Sequence, residues 1–204
     1  MDGLSVIPKG RKLMMNQAVL DAIASRYSCR SYTTEPVSRA DLEALALAGV
    51  QAPSSRGNAP WYLAVVTNRA LIDRINDAAL NLMSRHEAGA AERVRDRPTN
   101  LFFDAPALIV VATKPTHDYT PAELDAGLLV ENITLAAVGL GLGTCVCGYA
   151  TQAFRDQRAD GGEALSQALG FPWGYEMTVA IMVGHPDQTR QPHQPDLSVV
   201  RYFD

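Results

Sequence analysis

The chain predicts a sandwich of helices on a sheet, of the α+β or α/β class, and three observations carry that expectation. Residues 107–113 (Ala-Leu-Ile-Val-Val-Ala-Thr) are an unbroken apolar run, the pattern of a strand covered on both faces. Helical periodicity dominates the first half, while other strand-like runs are short and separated by helices or turns. The 204 residues are 47% hydrophobic and 20% charged, which suits a single globular core rather than a disordered or fibrous chain.

In order, residues 1–15 read as an N-terminal extension and 16–204 as one domain. Asn16 is placed to cap a helix over 17–27, with Val19, Leu20 and Ile23 as its apolar stripe. Pro36 closes a polar turn. Ser38, with Asp41 three residues on, starts a second helix whose inner face is Leu42, Leu45, Ala46 and Gly49. Residues 53–60 are loop by composition and lead into an aromatic and β-branched strand over 61–67. A helix over 69–84 follows, and the charged stretch 85–100 reads as helix, lid or both. After the 107–113 strand, Thr120, Pro121 and Glu123 signal a sharp helix start. That helix runs to Leu140, is apolar almost all round, and belongs at the centre or at a subunit interface. Gly141 and Gly143 end it, and a strand over 145–149, a helix over 163–169 and a strand over 177–183 complete the chain.

Several functions are disfavoured. The net charge is −4 and basic residues are scattered, so the stripe that nucleic acid requires is absent. Asp125, Glu131 and Asn132 interrupt the apolar stretch 124–146, and a charge at the bilayer centre costs roughly 2.5–3.5 kcal/mol, so this reads as a buried helix. Three cysteines (Cys29, Cys145, Cys147) make no disulfide framework and favour a reducing, cytoplasmic address. The four histidines lack zinc spacing, and Cys145-x-Cys147 has no second pair, so no metal site is expected; on a strand both thiols face one side as small apolar packing. No Gly-x-Ser-x-Gly elbow occurs. The glycine string 139–143 ends a helix and enters a strand, the reverse of a dinucleotide fingerprint.

Two clusters carry potential chemistry. In Arg26-Tyr27-Ser28-Cys29-Arg30, two guanidiniums bracket a hydroxyl, a set suited to a phosphate monoester. The plainer reading is cations favoured at a helix C-terminus. The proline-bounded loop with Ser54, Ser55 and Asn58 suits a polyol or the polar edge of a heterocycle, or is simply a connection. Neither identifies a reaction.

Taken in order, these pieces resemble the FMN-dependent nitroreductase superfamily. The likeness rests on residues 26–32 with Glu35-Pro36-Val37, on 52–55 with Pro60-Trp61, and on Asp104-Ala105-Pro106 before the central strand. It continues through Asp125-Ala126-Gly127, residues 140–145 and Gly148, then residues 169–175 and 183–186. It spans about residues 16 to 186 and implies a mixed sheet flanked by helices in an intertwined homodimer, with FMN at the seam. Carried over by position, Arg26 and Ser28, with Tyr27 between them, meet the FMN phosphate, and Arg30 sits by the pyrimidine edge. Pro53, Ser54 and Ser55 of the other subunit touch ribityl and ring, and backbone at Cys147 and Gly148 approaches the reactive nitrogen edge.

The implied activity is ping-pong hydride transfer from NADH or NADPH through FMN to a nitroaromatic, quinone or other conjugated acceptor, with no side chain required as a catalytic acid. The alternatives on this scaffold are a specialised flavin dehydrogenase or dehalogenase, and a non-catalytic FMN-sequestering protein. The chain departs from the pattern at Gly57 and Ala59, where asparagine and glutamine are usual, with Asn58 displaced by one. Near its end Gln191 and His193 stand where phosphate-binding cations are usual, so either the nearby Arg190 substitutes or FMN binds more weakly.

Overall fold

A computed structural model describes residues 17–115, 121–155, 161–192 and 194–203. The proposed extension 1–15 and the caps Asn16 and Thr120, with His193, lie outside the described residues.

The helices are α1 (Gln17–Ser25), α2 (Arg39–Val50), α3 (Arg69–His86), α4 (Ala88–Arg95), α5 (Ala122–Gly139), α6 (Gln152–Arg155) and α7 (Gly162–Ala168). The strands are β1 (Trp61–Val66), β2 (Ala107–Thr113), β3 (Gly143–Cys147) and β4 (Glu176–Gly184), in the spatial order β1-β2-β4-β3. All three strand pairs are antiparallel. The parallel component of the expected mixed sheet is one bridge, Ser28 beside Thr144 on the β3 edge.

Every residue of β2 is buried, as the unbroken apolar run requires. Alternation sends Ala107, Ile109 and Val111 into one core and Leu108 and Val110 into the other. The first core packs the sheet against α2 and α5; the second packs it against α3, α4, α6 and α7. Cys145 and Cys147 share the second core, both buried, as their spacing on a strand dictates.

Ser38 caps α2: its Oγ accepts from the Asp41 N–H at 3.0 Å and donates to the Asp41 carboxylate at 2.7 Å. Gly49 lets α2 close on α5, since a Cβ there would lie 2.8 Å from Ile133. Gly141, at φ 70°, ends α5 with a Schellman pair, the Leu142 N–H reaching the Ala137 carbonyl at 2.8 Å.

Four expectations shift. The first helix stops at Ser25, and its Val19, Leu20 and Ile23 stripe is exposed. Pro121 stands outside α5 at the cap position rather than in its first turn. Gly143 does not end α5; it opens β3, which therefore runs over 143–147 instead of 145–149. The reason is close approach: a Cβ on Gly143 would meet Cys29 Sγ at 2.7 Å, so the strand position admits only glycine, whose presence disguises the strand. The 85–100 stretch resolves into the end of α3, the helix α4 and a tight loop.

Candidate functional site

The 26–30 segment lies along the β3 edge. Ser28 bridges Thr144, and the Cys29 N–H donates to the Thr144 carbonyl at 2.8 Å. Arg26 still belongs to the end of α1, its N–H donating to the Ala22 carbonyl at 3.0 Å. The extended run that follows alternates its side chains, with Ser28 and Arg30 on one side and Tyr27 and Cys29 on the other. The contacts agree. Ser28 and Arg30 both reach the Cys145 thiol, whereas Cys29 is wholly buried and Tyr27 turns away to donate to the Gln188 carbonyl at 3.1 Å. Burial and the neighbouring Cys29 push the Tyr27 hydroxyl pKa up, and Arg190 nearby pulls it back. Tyr27 thus ties the 187–190 segment to this edge, with Arg190 beside it.

Arg30 faces a cavity of about 550 Å³ floored by Cys145, Val146, Cys147 and Gly148. Arg97, Leu101 and Phe103 also line it, with Glu87, Tyr149, Gln152 and Met182 completing the lining. A Cβ on Gly148 would meet nothing within 4 Å, so the backbone there is open to a ligand. Burial raises the pKa of both floor thiols: Cys145, held back by Arg30 and Ser28, and Cys147, pushed up to about 11. Both stay protonated at neutral pH and present a neutral, weakly polar floor.

Arg26 sits at the other end of the segment, lining a smaller cleft of about 270 Å³ with Gly141, Gly143, Thr144 and Thr189. Its Nε lies 3.8 Å from the Glu131 carboxylate, a half-exposed pair of small energetic weight.

The 53–58 loop belongs to a different place. The Ser55 N–H donates to both oxygens of Asp125, each at 3.1 Å, in the first turn of α5. Ser54 Oγ accepts from the Ala59 N–H at 2.8 Å. Arg56, Gly57 and Ala59 all adopt positive φ, so the loop keeps a shape that its neighbours hold in place. Pro53 and Asn58 are exposed, and no member of this loop lines the Arg30 cavity. Within one chain, therefore, the two clusters stay apart.

Sequence reasoning missed Asp125 as the loop's anchor and Arg97, Phe103, Tyr149 and Gln152 as cavity wall. Asp125 left a signal: a carboxylate that interrupts an apolar helix and is only 3% exposed must have a partner. The same holds for Asn132, whose amide donates to the Ala48 carbonyl at 3.1 Å.

Fold and site together define a family. The chain belongs to the nitroreductase family, whose sequence pattern matches residues 23–185. It is similar to a crystallised nitroreductase with bound FMN from Desulfitobacterium hafniense, at 38% identity and a TM-score of 0.84, covering 94% of this chain and 100% of that one. An FMN-dependent nitroreductase from Clostridium difficile is 26% identical, with a TM-score of 0.75 over 92% and 99% of the two chains. A protein of Archaeoglobus fulgidus, provisionally named NADH dehydrogenase/NAD(P)H nitroreductase, is 27% identical over 87% of this chain and 90% of its own length. No helix among the described residues is long and apolar enough to cross a membrane.

Proposed function

We propose that this protein is an FMN-dependent oxidoreductase that passes electrons from NADH or NADPH to a nitroaromatic, quinone or related conjugated acceptor. The observation that carries the reading is the run of Ser28 and Arg30 along β3 to a cavity with an open glycine backbone, with Arg26 at the start of the same segment. Arg26 and Arg30 stand at the two ends of the segment, beside different clefts, which lets Arg26 grip a phosphate while Arg30 meets the far end of the same molecule. The fit to FMN is good on this structure's own terms. A cation without a carboxylate partner among the described residues faces a large cavity, and the floor at Gly148 is cleared of side chain.

In this reading Arg26 and Ser28 bind the phosphate, with Arg190, positioned through Tyr27, as a further cation. Arg30 provides fixed positive charge beside the pyrimidine edge, and the backbone of Cys147 and Gly148 borders the reactive edge. When bound, FMN supplies the hydride chemistry; the chain supplies grip, orientation, charge and exclusion of water. No side chain is nominated as a catalytic acid, because protons are available from solvent.

The site is completed by a second copy. Pro53, Ser54, Ser55 and Asn58 stand on a rigid loop remote from their own Arg30 cavity, which suits a contribution to the partner's cofactor. The exposed apolar residues of α1, Leu47 and Val50 of α2, and Leu124 and Leu128 of α5 support a homodimer.

The test is spectroscopic. Purified protein supplied with FMN retains flavin absorbance, bleaches with NADH or NADPH, and recovers its colour on adding a nitrofuran or quinone. Light scattering on the same sample reads two chains. A yellow protein that neither nicotinamide bleaches is a flavin-binding protein without reductase activity, and the proposal fails.

A further inference from the structure

We propose that Arg97 recognises the carboxylate of a flat anionic acceptor, making aromatic acids the preferred substrate class of the 550 Å³ cavity. The inference rests on the reductase reading above and specifies its acceptor. Two guanidiniums, those of Arg30 and Arg97, line the cavity. Arg30 leans on the Cys145 thiol, on the side given to the cofactor. Arg97 has its guanidinium carbon 4.5 Å from the centroid of the Phe103 ring. That stack fixes the guanidinium plane and leaves its N–H edges available, the arrangement that grips a carboxylate through two parallel hydrogen bonds. Among the described residues no carboxylate pairs with Arg97; Glu87 lines the same cavity without reaching it. Leu101, Phe103, Val146 and Met182 make the surroundings apolar, where a cation without a counter-charge is under-satisfied.

The wall carrying Arg97 is built with stored strain. Phe103 and Asp104 are consecutive non-glycine residues at φ 52° and 55°. Asn100 Oδ1 holds them by accepting from the N–H groups of Phe102 (2.8 Å) and Asp104 (3.0 Å). The Asp104 carboxylate accepts from the Asn100 N–H at 3.3 Å and from Arg69 at 3.5 Å. Strain of this kind persists where surrounding structure enforces it, and here it presents the Phe103 ring beneath Arg97. The anion belongs to the acceptor rather than to the nucleotide's phosphates. Arg97 lines the same cavity as Cys147 and Gly148, which border the reactive edge in the reading above, whereas those phosphates stand a ribose away from the nicotinamide.

Calorimetry of the FMN-supplemented protein with benzoate and with benzamide tests the idea without turnover. The parent is expected to bind benzoate about tenfold or more tightly than benzamide. Arg97→Gln abolishes that preference and leaves benzamide binding alone, while Arg97→Lys, which keeps charge but loses the fork, falls between. In turnover, Arg97→Gln lowers kcat/KM for 4-nitrobenzoate about tenfold or more and spares 4-nitrobenzamide and the KM for NADH and NADPH. Equal binding of the two ligands by the parent overturns the proposal. So does a preference that survives Arg97→Gln, or a loss that appears in the NADPH KM instead. Should Arg97→Gln fail to fold, the parent and Arg97→Lys titrations decide alone. Failure of the reductase reading registers separately, as flavin that NAD(P)H does not bleach.

Discussion

Asp125 is the residue whose removal links fold to site most directly. Its carboxylate is 3% exposed and accepts the Ser55 N–H on both oxygens at 3.1 Å. Asp125→Ala forfeits a charge-assisted hydrogen bond and leaves a partly buried N–H without its acceptor, a loss of roughly 1.5–3 kcal/mol. Relief of the carboxylate's own desolvation returns part of this, so the expected net cost is about 1–2 kcal/mol. In a chain of this size each kcal/mol lowers Tm by about 2–4 °C. Asp125→Asn keeps a carbonyl oxygen facing Ser55 and should recover about half of the loss. The assay is a thermal melt with and without FMN. If, as proposed, the loop contributes to the cofactor seat of a dimer, the alanine variant also gains less Tm from FMN than the parent. An alanine variant that melts with the parent and gains as much from FMN would show that the Asp125–Ser55 contact positions nothing.

Two glycines, Gly143 at the start of β3 and Gly148 just past its end, should give opposite phenotypes. Gly143→Ala places a methyl 2.7 Å from Cys29 Sγ and is expected to lose about 1–3 kcal/mol by overpacking, read as a lower Tm. Gly148→Ala meets nothing within 4 Å, so Tm should hold while FMN affinity drops, measured by flavin titration. Cys147 predicts an alkaline limit. Its thiol pKa is raised from 9.0 to about 11 by burial, so the folded state binds more protons than the unfolded one in that window. The stability this reflects is complete below pH 9 and is lost as pH rises towards 11; Cys147→Ala should flatten that part of the Tm-against-pH curve.

Much of this architecture was legible because local chemistry and tertiary role coincide. The 107–113 run is central because nothing in it tolerates water, and Ser38 announces α2 through a side-chain bond that needs no distant partner. The elements that shifted are those decided by contacts remote in sequence. Gly143 looks like a helix terminator until Cys29, more than a hundred residues earlier, leaves no room for a Cβ. The 26–30 cluster stood out by its residue types, two guanidiniums around a hydroxyl; what the sequence could not show is that Ser28 runs beside Thr144 and that Tyr27 turns away to the Gln188 carbonyl. Arg97 and Phe103 were invisible: a cation in a charged stretch has no sequence signature that separates a solvated one from one laid over a ring. Likewise the three polar residues of α5 looked like interruptions, whereas Asp125 holds a loop, Glu131 faces Arg26 and Asn132 pins the end of α2.

The central proposal is that the 26–30 segment grips a phosphorylated flavin. A calorimetric titration comparing FMN with riboflavin tests it most directly. The account predicts one FMN per chain, bound about tenfold or more tightly than riboflavin, with that margin lost in Arg26→Gln. Equal affinity for the two flavins, or no heat from either, would contradict it.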